Sequence, residues 1–318
     1  MTPPILVTGG TGFVGKHLIA LLQRQESQIA VLSSTKEEHP ETGVRYYQVD
    51  VRNRDGVQAV VRDVAPRLIY HLAGISSVGS AWENPRLTYE VNLLGAYNVL
   101  DAAMHLPVPA RILNVSTAQV YARSSLPLTE KSPLAPDNPY SASKAMSELL
   151  RIEFKDYSSG GVITARAFNH TGPGQTPDFV LPSIARQFAE IQAGLQPAKL
   201  VLGNVGVKRD FTDVRDVAAA YTTLLNNGVP GEIYNVCSGV SVRLAEIVRL
   251  FEEECNLKIE IQTDPSKLRG DEADEICGNP EKIRAETGWF PQIPLGKMIA
   301  DLMDYWRRRT AGSPTNSR

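Results

Sequence analysis

A chain of 318 residues with 33 basic and 35 acidic side chains has a formal charge of −2. This excludes the strongly basic surface that nucleic acid or an anionic membrane would attract. No apolar run approaches the roughly 20 residues needed to span a bilayer. Cys237, Cys255 and Cys277 lack both metal spacing and the pattern of a disulfide framework, so they read as thiols in a reducing compartment. A strand opening at Ile5 leaves no room for a signal peptide. The expectation is a soluble cytoplasmic protein of one large domain or two intimate ones, without metal, nucleic-acid or membrane partners.

Ile5, Leu6 and Val7 read as a buried strand entering Thr8-Gly9-Gly10-Thr11-Gly12-Phe13-Val14-Gly15. Leu18, Ile19, Leu21 and Leu22 then mark an amphipathic helix. Strand, glycine loop and helix in that order make a phosphate-binding loop credible. Gly9 would permit the tight turn, Gly12 the approach of a pyrophosphate, and Gly15 close packing of helix on strand. The helix N-terminus supplies amide N–H groups, so Thr11, Phe13 and Val14 join the three glycines as cofactor-binding candidates.

The second strand, Ile29 to Leu32, ends in Ser33-Ser34-Thr35-Lys36, where an NAD-specific domain places an acid. Nothing there repels a 2′-phosphate, Ser33 can hydrogen-bond it, and Lys36 can approach it. NADP(H) is favoured and NAD(H) is the second candidate, while an ordinary turn explains the stretch equally well. A third strand, Tyr46 to Val49, leads to Asp50 and Val51, where an adenine ring would rest. Asp50 accepts from the adenine amino group in one reading, and Asp50 or Asn53 caps a helix in the other. Arg67 to Leu72 is the fourth strand, and Leu72, Ala73 and Gly74 are small enough at its end to pass close to a ribose. His71 reads as a packed, hydrogen-bonded side chain. A long helix is expected from Tyr89 to Met104, with Asn92 near its start.

The next strand, Arg111 to Val115, ends in Ser116-Thr117-Ala118-Gln119. Ligands bind at such strand ends in open parallel sheets, where a hydroxyl of Thr117 or Ser116 can donate to a carbonyl oxygen. Asn138-Pro139 then opens a helix that puts Tyr140 and Lys144 on one face, four residues apart. The ammonium is expected to lower the phenol pKa, making Tyr140 a proton donor or acceptor near neutrality.

Beyond the strand Val162 to Phe168 the texture changes. Helices are expected over Phe179 to Leu195, from Asp213 through Leu225, over Leu244 to Glu254 and over Leu295 to Arg309. Strands fall at Leu200 to Leu202, Glu232 to Val236 and Ile259 to Gln262. The fold class is α/β, a doubly wound parallel sheet with a smaller C-terminal α/β substrate-binding domain. Residues 1–168 form the dinucleotide domain, to which 210–236 return. Residues 169–209 and 237–311 form the second domain, and 312–318 a disordered tail.

Thr-Gly-x-x-Gly-x-x-Gly at residues 8 to 15, Thr117, and Tyr140 with Lys144 together resemble the extended short-chain dehydrogenase/reductase family, over nearly the whole chain. The resemblance implies a Rossmann domain binding NAD(P)(H), catalysis by Thr117, Tyr140 and Lys144, and a nucleotide sugar on the C-terminal domain. Residues 166–175, 209–214 and 234–239 are most similar to GDP-4-dehydro-6-deoxy-D-mannose reductases, which form GDP-D-rhamnose. A GDP-sugar would then contact Ser116, Thr117, Asn169, Val201, Arg209, Arg269 and Glu272. A homodimer through the helices containing Asn92 and Tyr140 is implied as well.

Arg209 and Arg269 offer planar forks for a diphosphate, Asn169 can bond sugar or phosphate oxygens, and Val201 can pack on guanine. Ion pairs of Arg209 with Asp210 and of Arg269 with Asp271 are the plainer reading. The family's Arg-Pro-x-Asp is Arg269-Gly270-Asp271-Glu272 here, leaving two acids as candidates for the ribose. Dehydratases of the family carry acids just after the Thr117 hydroxyl. Ala118 and Gln119 stand there instead and argue against elimination. A nucleotide-sugar 4-epimerase with retained NAD+ and a non-catalytic nucleotide sensor are the rival functions.

Overall fold

Apolar runs without polar alternation suit strands covered on both faces, and such runs build the centre of the molecule. The computed structural model describes residues 4–25, 28–37, 40–154, 160–265 and 273–312. Strand and helix alternate at first: β1 (Ile5–Thr8), α1 (Phe13–Gln23), β2 (Ile29–Ser33), β3 (Val44–Gln48), α2 (Arg54–Val64) and β4 (Leu68–His71). Short helices α3 (Val78–Glu83) and α4 (Pro85–Tyr89) pass through a π-helical turn, Glu90–Leu94, into α5 (Gly95–Met104). Then come β5 (Arg111–Thr117), α6 (Pro139–Glu153) and β6 (Gly161–Ala167).

The second half begins with β7 (Asn169–Thr171), α7 (Val180–Gln192), β8 (Lys199–Leu202), β9 (Lys208–Asp213), α8 (Val214–Asn227) and β10 (Ile233–Val236). It ends with β11 (Ser241–Arg243), α9 (Leu244–Cys255), β12 (Glu260–Thr263), β13 (Glu275–Ile276), α10 (Glu281–Thr287) and α11 (Leu295–Gly312).

Seven strands pair in the order β10-β6-β5-β4-β1-β2-β3, all parallel. Strand order reverses between β1 and β4, which opens a crevice at their C-terminal ends. One face of the sheet packs on α1 and α8 through Leu18, Leu22, Val217 and Tyr221. The other packs on α2 and α5 through Val57, Val61, Val99 and Leu100. A separate core joins α7, α9 and α11 through Phe188, Phe251 and Leu302. Beside it lies a small sheet, β11-β9-β13, with β7 also paired to β9.

Several boundaries differ from expectation, each for a local reason. β3 starts at Val44, paired with Ile29, and Val49 leaves the ladder after donating to Ser33 O. The helix expected from Tyr89 to Met104 starts earlier, at Pro85, and runs on through a π turn around Asn92, whose side chain is engaged outside the helix. Asn53, not Asp50, caps α2, accepting from Gly56 N at 3.0 Å. The charges of Lys208, Arg209 and Asp210 mask β9 in the sequence, and the return to the large sheet begins at Val214, after that strand. Ile283 and Trp289, expected in the second domain, pack into the core under the large sheet. Helix α11 runs through Gly312, the first residue of the expected tail. Among the described residues no helix is long and apolar enough to cross a membrane.

Candidate active site

One cleft of about 1410 Å³ runs along the C-terminal ends of the large sheet. That exceeds the roughly 300–1,000 Å³ of a pocket for one small ligand, so a dinucleotide and a nucleotide sugar can share it. Apart from Lys36, which is exposed and outside the lining, its walls include every described residue singled out from the sequence for cofactor or substrate. Arg269, Asp271 and Glu272 lie outside the described residues.

The dinucleotide end is shaped by glycine. Gly9 has φ +69°, and a Cβ there would lie 2.7 Å from Ala73 N. A Cβ on Gly15 would lie 2.5 Å from Gly10 O, so α1 rests directly on the loop. Gly12, Phe13 and Val14 open α1 toward the cleft. At the end of β2 three hydroxyls form a triangle. Thr11 Oγ1 lies 2.8 Å from Ser33 Oγ, Ser33 Oγ 3.1 Å from Thr35 Oγ1, and Thr11 Oγ1 3.4 Å from Thr35 Oγ1. Asp50 is clamped by Arg52, whose Nη2 donates to it at 2.7 Å and holds the carboxyl below its ordinary range. Asn98 Nδ2 donates to Val51 O at 2.9 Å, fixing that backbone.

The Leu72–Gly74 segment is held from two sides. Ala73 N donates to Thr8 Oγ1 at 3.2 Å, and Thr8 Oγ1 lies 2.8 Å from His71 Nδ1. Burial, aided by the Lys144 charge, pulls His71 down to about 3, so it is neutral, as a packed histidine should be. From the helix side Asn92 Oδ1 accepts from Ile75 N at 2.8 Å, while its Nδ2 donates to Ile75 O and to Ser143 Oγ. The π turn therefore ties the loop after Gly74 to α6, between Tyr140 and Lys144.

Asn138 and Ser141 form a reciprocal capping box at the start of α6, with Pro139 in its first turn. Such a box fixes where the helix begins and so which residues face the sheet. Tyr140 and Lys144 are both buried against β5. Lys144 Nζ donates to Val115 O at 2.8 Å. Burial draws its ammonium down to about 8, and the Glu148 carboxylate partly offsets this. Burial also raises the Tyr140 phenol, while a hydrogen bond from Thr117 acts the other way. The expected lowering by Lys144 is thus overturned, because desolvation of a buried phenolate dominates.

Ser116 lines the cleft, but its Oγ donates to Glu148 Oε1 at 2.5 Å, away from the Thr117 hydroxyl. Glu148 also takes a forked pair of bonds from Arg166, with Nη2 at 2.6 Å. Arg166 in turn lies 4.6 Å over the Tyr121 ring. This buried pair locks α6 to β5 and β6, and nothing in the residue spacing announced it.

Asn169, Val201 and Arg209 line the same cleft from β7, β8 and β9. Gln187 Oε1 accepts from Val201 N at 2.9 Å. Arg209 is largely buried and its Nη1 donates to Ala273 O at 2.9 Å. Asp210 turns the other way, accepting from Ser238 N and Oγ, Gly239 N and Gly278 N. Its carboxylate staples those loops, in place of the ion pair with Arg209 that was the plainer reading. Thr35, Trp82 and Arg186 also line the cleft and were not singled out. Only Thr35, within the Ser33–Lys36 stretch, had a signal near it.

Residues 6–302 match the family described as GDP-mannose 4,6-dehydratase. The chain belongs to that family. It is a Rossmann-fold, NAD(P)-binding enzyme of the extended short-chain dehydrogenase/reductase class, homologous to a nucleotide-sugar oxidoreductase. Among its relatives, GDP-6-deoxy-D-mannose reductase of Pseudomonas aeruginosa is 35% identical over 312 residues, 97% of this chain and 99% of the relative. GDP-6-deoxy-D-talose 4-dehydrogenase of Aggregatibacter actinomycetemcomitans is 31% identical over 281 residues, 88% of this chain and 89% of the relative. The structure of RMD from P. aeruginosa complexed with NADPH superposes with a TM-score of 0.85 at 33% identity, covering 97% of this chain and all of that one. UDP-glucose 4-epimerase of Thermus thermophilus, complexed with NAD, superposes with a TM-score of 0.82 at 30% identity, covering 95% of this chain and 98% of that one.

Proposed function

We propose that this family member reduces the C4 ketone of GDP-4-dehydro-6-deoxy-D-mannose to GDP-D-rhamnose with NADPH, NADH being the second candidate. The observation that carries the reading is the meeting of Thr117, Tyr140 and Lys144 in one cleft that the glycine loop and Arg209 also line. The reductase relative, matched over nearly both full lengths, supports the substrate class. Where elimination would need an acid after Thr117, this chain has Ala118 and Gln119.

The dinucleotide would be held by the Gly9–Gly15 loop, Ser33, Asp50, Val51 and Leu72–Gly74, with Lys144 at its ribose. The tight loop packing that only glycine permits at residues 9 and 15, with the start of α1 facing the cleft, and the Thr11–Ser33–Thr35 hydroxyls fit such a group. When bound it supplies the hydride that reaches C4. Thr117 donates to the ketone oxygen, and Tyr140 delivers the proton that oxygen takes up. A phenol raised by burial holds its proton at neutral pH, the state a reduction requires. Asn169, Val201 and Arg209 bind the remote GDP, which orients the sugar. Ser116 lines the wall, its hydroxyl being committed to Glu148.

The second reading, a 4-epimerase, uses the same three residues, and the T. thermophilus epimerase likeness favours it. A homodimer is part of the proposal. Met146, Leu149 and Ile152 on α6, Met104 on α5 and Leu94 just before it expose 40–57% of their surface, apolar side chains that a second copy would cover. Tyr140→Phe tests the assignment. It keeps GDP and NADP+ affinity while turnover falls at least about 100-fold, and near-native turnover would overturn the role of Tyr140.

A further inference from the structure

Resting on the function proposed above, we infer that the Phe13–His170 contact couples the two ligand sites, so that a bound dinucleotide tightens the hold on the nucleotide sugar. Phe13 stands in the glycine loop and lines the dinucleotide end of the cleft. Its ring lies parallel to that of His170, with centroids 6.3 Å apart and planes within 5°. His170 follows Asn169 on β7 and lines the same cleft. One turn along α1, His17 meets Phe13 edge-on, with centroids 5.5 Å apart. His17 Nε2–H donates to Pro173 O at 2.8 Å. The helix that starts at the phosphate loop therefore touches β7 through His170 and the segment after it through Pro173.

His170 is itself oriented, its Nδ1–H donating to Phe168 O at 2.9 Å. Its neighbour Asn169 pairs with Phe211 on β9, two residues beyond Arg209. A ligand that immobilises the glycine loop fixes the Phe13 ring. That ring limits the freedom of His170, and β7 and β9 present Asn169 and Arg209 already ordered. The second ligand then bears less of the ordering cost, and the effect is reciprocal. Phe13 and His170 are positioning residues in this scheme, acting through the loop and through Asn169.

Titration calorimetry of GDP binding, with and without saturating NADP+, reads the coupling directly. In the wild-type protein NADP+ tightens GDP about fivefold or more, within the ordinary range for coupled sites. His170→Ala brings this below about twofold, while affinity for NADP+ alone and the circular dichroism spectrum stay near wild type. His170→Phe keeps the ring and the coupling. Full coupling in His170→Ala overturns the inference, as does independent binding of the two ligands to the wild-type protein. A wild-type protein that binds NADP+ and no GDP overturns the proposed substrate class and this inference with it. Independent binding leaves the proposed reaction standing.

Discussion

Lys144 on α6 donates a 2.8 Å hydrogen bond to the carbonyl of Val115, two residues before Thr117 on β5. One ammonium thus ties the helix carrying the phenol to the strand carrying the hydroxyl. Because burial draws Lys144 down to about 8, its charge is lost as pH rises through that value. Turnover in the reductive direction should fall on an alkaline limb near pH 8. Stability moves the other way. The unfolded lysine titrates near about 10.4, so the penalty of the buried charge is full below about pH 8 and is relieved between there and about 10.4. A kcat–pH profile checks the first statement, and a rate flat to about pH 10 would contradict it.

The hydroxyl triangle of Thr11, Ser33 and Thr35 leads to a change of cofactor preference on Ser33→Asp. A carboxylate about 5 Å from a 2′-phosphate charge costs about 3 kcal/mol at an effective dielectric near 20. NADPH should lose at least about tenfold in kcat/KM, with NADH little changed. The ratio of the two kcat/KM values, measured in parallel for both proteins, is the check. An unchanged ratio would place the 2′-phosphate elsewhere.

Glu148 and Arg166 form an ion pair in which both side chains are at most 3% exposed. Glu148→Ala leaves Arg166 charged and unpaired in the interior, a loss of about 3–5 kcal/mol. Urea denaturation of that variant measures it. The double variant Glu148→Leu, Arg166→Met should recover much of the loss, since an apolar pair of similar volume removes both charges.

The fold was legible where one physical signal dominated. The strand at Ile5, the glycine loop and the helix after it were plain because only glycine meets the steric demand at residues 9 and 15. Tyr140 and Lys144 were legible because helical spacing fixes a shared face. What stayed hidden depended on contacts distant in sequence. The π turn around Asn92, whose side chain bonds Ile75 and Ser143, sits in a helix that local pattern drew as regular. The Ser116–Glu148–Arg166 cluster turned a candidate hydroxyl away from the reaction. Arg209 and Asp210, neighbours in sequence, point apart because adjacent residues of β9 face opposite sides. Desolvation reversed the expected direction at Tyr140, and burial is invisible in a spacing.

His71 links acid stability to the dinucleotide loop. Its folded pKa, depressed to about 3 from about 6.5, means that the unfolded chain binds a proton which the folded chain refuses. The contribution is complete above about pH 6.5 and is lost as pH falls toward 3, at up to about 1.4 kcal/mol per pH unit. His71→Gln should flatten the fall in stability between pH 7 and pH 5 by about 1–2 kcal/mol, measured as the change in denaturation free energy. An identical pH slope in both proteins would show that His71 is protonated in the fold.

The most direct test of the proposed reaction is NADPH oxidation on adding GDP-4-keto-6-deoxymannose, followed by its loss of near-ultraviolet absorbance, with the dTDP analogue and NADH in parallel. Stoichiometric consumption with the GDP sugar, and a product whose NMR spectrum shows the rhamnose configuration, is the predicted result. No reduction of either ketosugar, in a protein purified with NAD+ already bound, would contradict it and make the epimerase the better reading.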